Sequence, residues 1–107
     1  MSRTQSLAAC LRAHARRSLD RVEPRDDGRN ARRALALLDA ACYAESLPED
    51  DSLLLLLREA GHFGPHGLDD FEPDEQARRR IAEWTGGEPA ELLLDLAGRL
   101  PQDAASD

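Results

Sequence analysis

His62 and His66 stand four residues apart in a stretch that also carries Asp69, Asp70 and Glu72. Imidazole nitrogens and carboxylate oxygens are zinc ligands, and an H-x3-H spacing recurs in zinc sites. That spacing brings two rings to one side only on a helix, and Gly64-Pro65 interrupts a helix between them. Neither a cysteine pair nor an H-E-x-x-H motif accompanies them. Two loop histidines are therefore the preferred account, and zinc held by His62, His66, Asp69 and Asp70 ranks third among the functional expectations. No other cofactor is expected.

Cys10 and Cys42 would come level if the chain between them folded as an antiparallel helical hairpin about residue 26. A reversible disulfide is then a geometric option. Two small buried hydrophobes are the commoner outcome, and buried cysteines are chemically inert. Asp51-Ser52-Leu53, at an expected helix start, is similar to the phosphopantetheine attachment triplet of acyl carrier proteins. The resemblance spans three residues and implies a prosthetic arm on Ser52, but helix capping asks for the same residue types. No nucleophile sits in a local catalytic signature and no glycine-rich phosphate loop is present. The chain is not expected to be an enzyme.

Arginine supplies all fourteen basic side chains, and nine of them fall in the first 33 residues against four acids. The rest of the chain holds five arginines against seventeen acids, so the net charge of −7 hides a basic first third and a strongly acidic remainder. Arg12, Arg16, Arg17, Arg25, Arg29, Arg32 and Arg33 have the chemistry to neutralise phosphates along a nucleic acid. No aromatic stands among them to stack on bases. A solvated face matched to the chain's own acids explains the run more simply. Nucleic acid is thus a partner of second choice.

The elements that must position these groups are helical. Leu and Ala supply most of the apolar residues, while Val22 and Ile81 are the only β-branched aliphatics. Leu and Ala lose little freedom in helices, and strands prefer the types that are missing here. Apolar spacing predicts a helix over about 4–22, with Leu7, Leu11, Ala15, Ser18 and Val22 inward and Arg12 and Arg16 opposite. A second runs from an Asn30 cap to Ser46, with Ala31, Ala34, Leu35, Leu38, Ala41 and Cys42 inward. A third starts near Pro48 and stops at Gly61, its leucines 53–57 pointing all round. A fourth runs from Pro73 to Thr85, and a fifth from Pro89, with Leu92, Leu93, Leu96 and Leu100 inward.

The expected fold is an all-α, compact bundle of about five helices, with helix three central and no sheet. It forms a single domain over 1–101, with 102–107 a flexible tail. No apolar run approaches the roughly 20 residues of a membrane span. Leu7-Ala8-Ala9-Cys10 mimics a lipoprotein cleavage box without an apolar segment before it. The expected compartment is the cytoplasm, with reduced cysteines. Excess leucine on helix three and the charge polarity favour a non-enzymatic module that binds a protein partner or itself. Arg12, Arg16, Arg25, Arg29, Arg32, Arg33, Leu55 and Leu56 are the candidate contacts.

Overall fold

Ser2 opens the first helix by accepting a hydrogen bond on its side chain from the Gln5 N–H, while Gln5 Oε1 accepts from the Ser2 N–H at 3.0 Å. This reciprocal capping box satisfies two donors that a helix start leaves without intrahelical partners. The computed structural model describes residues 2–63 and 70–98. The expectations on His66, Asp69, Leu100 and the tail lie outside those residues. Five helices follow one another: α1 (Arg3–Asp20), α2 (Arg29–Ser46), α3 (Ser52–Glu59), α4 (Glu75–Glu83) and α5 (Pro89–Leu96). The described residues contain no strand, only an isolated antiparallel bridge between Phe63 and Phe71. The fold is the expected all-α bundle.

Glu49, in the link after α2, completes the start of α1. Its two carboxylate oxygens accept the backbone N–H groups of Arg3 at 2.9 Å and Thr4 at 3.1 Å, and the Thr4 hydroxyl at 2.7 Å. A negative group there also faces the positive end of the helix dipole. At the other end of α1, Asp26 organises the turn into α2. It accepts the N–H groups of Glu23 and Gly28 and the side-chain amide of Asn30. Gly28, not Asn30, is the N-cap of α2, in a left-handed conformation that directly follows the left-handed Asp27. Asn30 lies within the helix and ties the turn together, donating also to the Arg21 carbonyl.

The hairpin of α1 and α2 makes the largest interface in the molecule. Its lining is rich in alanine: Ala8, Ala15, Ala34, Ala40, Ala41 and Ala44 are buried beside Leu7, Leu11 and Leu37. Small side chains let the two backbones approach, which shifts the inward face of α2 away from the expected stripe. Leu35, Leu38 and Cys42 are exposed, while Leu37, Ala40 and Ala44 face in. Val22 is exposed as well, lying beyond the end of α1.

Helix three is not the centre of the bundle. At eight residues it is only about 12 Å long, against about 27 Å for each hairpin helix. Asp51 accepts the Leu53 N–H and starts the helix four residues later than Pro48. Leu54 and Leu57 are fully buried, Leu53 and Leu56 partly so, and Leu55 is 42% exposed. The helix rests chiefly on α5, and α5 is the element that touches α2, α3 and α4 together through Leu92, Leu93 and Leu96. Helix α4, capped by Asp74 rather than opened by Pro73, leans on α1, α2 and α5 through Ala77 and Ile81. The result is a two-layer molecule, hairpin below and α3, α4 and α5 above. Its least extent of 24 Å is about two helix diameters.

Candidate functional site

Seven of the nine arginines in the first third, from Arg16 to Arg33, gather around the turn between α1 and α2, while Arg3 and Arg12 lie toward the other end of the hairpin. The side chains separate onto two sides. Arg12 pairs with Glu45 across the exposed edge where α1 and α2 meet, and it also lies against Cys42. A step of seven residues returns to the same side of a helix. Leu19, seven after Arg12, and Leu38, seven before Glu45, therefore continue this edge toward the turn. Val22 lies past the end of α1, and Leu35, one turn before Leu38, turns toward the α4–α5 link, where it lines a shallow concavity with Arg32, Asp39, Gly86 and Gly87. The four apolar side chains are 50%, 37%, 48% and 62% exposed in the order Leu19, Leu38, Val22, Leu35. Arg16 lies on the same exposed side of α1. Leu19 and Leu38 make the edge an apolar strip beside Arg12 and Arg16, and Val22 and Leu35 extend the exposed apolar surface of the turn end.

The opposite side of the same end faces α4. There His14, Arg17, Ser18 and Arg21 of α1 and its C-cap, Asn30 and Arg33 of α2, and Ala82 of α4 line a cavity of about 100 Å3. It is more enclosed than the concavities beside α4 and α5. His14 and Ser18 are buried, and the buried Nε of Arg33 has no hydrogen-bond partner. Burial lowers the His14 pKa, and the positive charges of Arg17 and Arg78 lower it further. Burial pushes the Cys10 thiol up, partly offset by the same two arginines. Cys10 therefore sits on the α4 side and Cys42 on the outer edge, and both thiols are free. Cys42 is exposed, against its expected place on the inward face of α2, and Cys10 is half-buried.

The other predicted positions are dispersed. Arg32 donates to the Asp27 carbonyl at 2.8 Å, and Arg25 and Arg29 are exposed at the turn. Arg33 turns into the cavity, so the basic residues do not form one stripe. His62 is buried against Phe71, ring centroids 6.1 Å apart, with Nε2 at 2.7 Å from the Leu96 carbonyl oxygen. A carbonyl only accepts, so Nε2 carries the proton and satisfies the last turn of α5. Asp70 is exposed, and His66 and Asp69 lie outside the described residues, among which no cluster of metal-ligating side chains occurs. Ser52 is exposed at the start of α3, where Asp51 acts as the cap.

The sequence reading missed the cavity. Its signal was available: His14, Arg17, Ser18 and Arg21 recur at helical spacing, and Asn30 and Arg33 do the same on the next helix. Among the described residues no helix is long and apolar enough to cross a membrane. No family model matches the chain, and no curated protein or solved structure is significantly similar to it.

Proposed function

We propose that this chain is a non-enzymatic interaction module that assembles head to tail, the basic apolar strip of one copy receiving the acidic α3 surface of the next. The observation that carries this is the pairing of exposed apolar groups with opposite charge at the two ends. Leu19, Val22, Leu35 and Leu38 are exposed beside Arg16 at the turn end. Leu55 is exposed on α3, which Glu49, Asp50 and Asp51 precede and Glu59 ends. Apolar anchors ringed by complementary charge favour oriented docking. A head-to-tail contact uses two different surfaces and leaves both free at the ends of each assembly.

Sedimentation velocity over a concentration series tests the reading. Species larger than the monomer are expected at low salt and should weaken as salt screens the charges. Leu35→Glu and Leu55→Glu should each shift the distribution to monomer, because either surface alone is insufficient. A monomer at low and high salt alike overturns the proposal. The side chains of Arg16, Arg25 and Arg29 make no hydrogen bond or ion pair among the described residues, which supports a second reading as a nucleic-acid-associated regulator. That reading requires duplex binding whose affinity falls steeply with salt. Binding of this kind, unchanged in Leu35→Glu, would replace the first reading.

A further inference from the structure

We infer that the cavity between α1, α2 and α4 is a binding site for a phosphate-class oxyanion. The argument begins with what lines it. Arg17 and Arg21 stand at its rim and Arg33 enters its wall, three guanidinium groups that make no ion pair among the described residues. Arg78 of α4 adds its charge nearby, lowering the His14 pKa together with Arg17. Like charges gathered around an enclosed space repel one another, and an anion seated among them removes that cost.

Hydrogen bonding points the same way. The Nε–H of Arg33 is buried and lacks an acceptor. Neither the His14 ring nor the Ser18 hydroxyl has a hydrogen-bond partner among the described residues, although both residues are buried. A buried donor without a partner is destabilising, and an acceptor brought to it removes that cost. Here donors from two helices converge on one space. Asp26, the carboxylate that Asn30 reaches, is already turned onto the N–H groups of the turn. Among the described residues no carboxylate lines the space to serve as the acceptor these donors call for.

The size and lining define its class. About 100 Å3 holds a few waters or one small tetrahedral anion, and it does not hold a nucleoside. No Phe, Tyr or Trp ring lines the space to stack on a base. Guanidinium groups with a hydroxyl and an imidazole match the several acceptor oxygens of a phosphate dianion. The anion has two sources, free phosphate or the phosphoryl group of a small monoester reaching through the mouth. The docking strip lies on the other side of the hairpin, so this site stands independently of the proposed assembly.

The test is a titration of the full chain with inorganic phosphate, and in parallel with O-phosphoserine, at constant ionic strength held by chloride. Amide and imidazole resonances are followed by NMR. Saturable shifts are expected at Ser18, Asn30, Arg33 and the His14 ring, and the His14 pKa should rise as the bound dianion favours the imidazolium. Equal or tighter binding of inorganic phosphate assigns the site to the free anion, and tenfold tighter O-phosphoserine assigns it to a phosphoryl group. Arg33→Gln should weaken binding at least tenfold. The exposed rim variant Arg21→Gln, which leaves the core untouched, should weaken it severalfold, while Arg25→Gln outside the cavity should bind as the wild type does. Shifts spread over all surface arginines without saturation, or binding unaffected by both cavity variants, would overturn the inference.

Discussion

His14 and His62 are both buried, and the environment of each gives it a distinct consequence. Burial, with Arg17 and Arg78 behind it, lowers the His14 pKa below the ordinary 6.5. Arg21 and Arg33 also face its cavity, so every charged group that lines the space is positive. Above about pH 6.5 His14 is neutral in both folded and unfolded chains and makes no pH-dependent contribution. Below that, the unfolded chain binds the proton first, so stability falls until the folded imidazole protonates as well. In a phosphate-free buffer, thermal melts should show Tm dropping as pH goes from 7 to 5, and His14→Gln should lose less over that window. An equal slope in the variant would assign the loss elsewhere. For His62 the expected effect is the loss of one buried hydrogen bond. His62→Phe keeps a ring against Phe71 but leaves the Leu96 carbonyl without its donor, which should lower stability by about 1–3 kcal/mol in urea unfolding. A histidine that caps a carbonyl and one that binds a metal carry the same letter in a sequence. Only the packing of α5 over this segment separates the two roles.

At the scale of the elements, helix ends were legible where proline or glycine sets the backbone, and were displaced where an aspartate such as Asp51 or Asp74 does the capping. Pro89 opens α5 and Gly61 follows α3 as their backbone preferences require. Helix α2 was harder, because residues 34–38 and 40–42 are apolar without a break. Such a run has no unique inward face, and its orientation is decided by how closely α1 can approach over alanine. The leucines at 35 and 38 were then left outside, and with them went the clue to the strip. Glu49 was equally hidden. It reads as the first turn of a third helix, yet it serves the first helix 45 residues away. Glu49→Ala should therefore cost about 1 kcal/mol, as the loss of a helix cap does. Its carboxyl pKa is lowered chiefly by the Thr4 hydroxyl, with the backbone of Thr4 and Arg3 contributing. The stability it gives is complete above about pH 4.5 and is lost as pH falls through its lowered folded value. That window lies below the His14 window, so the two variants should change different parts of one pH–stability curve.

The whole molecule has a charge axis that runs along the hairpin, and the two ends use it differently. Arginine-rich chain on both sides of the turn gathers there because α1 and α2 are antiparallel, while Glu45, Glu49, Asp50 and Asp51 collect at the far end and along α3. The polarity was legible from composition, but its division into an outer strip and an inner cavity required the hairpin's orientation. The two cysteines report on that division, since Cys42 lies against Arg12 on the outer edge and Cys10 lies near Arg17 and Arg78 on the α4 side. Cys42 is exposed, and Cys10 is half-buried with its thiol pKa pushed up by burial, which lowers its reactive thiolate fraction. A maleimide at limiting concentration should modify Cys42 first, with Cys10 following at least several times more slowly, as peptide mapping would show. Cys42 is four residues from Leu38 and seven from Leu35 on the same helix, so the adduct would cover the strip. Protein labelled at Cys42 alone should sediment as a monomer under low-salt conditions that assemble the unlabelled chain. Cys42→Ser treated with the same reagent should still assemble. Assembly that persists with Cys42 fully modified would move the docking surface off this edge and leave the anion cavity, on the other side, untouched.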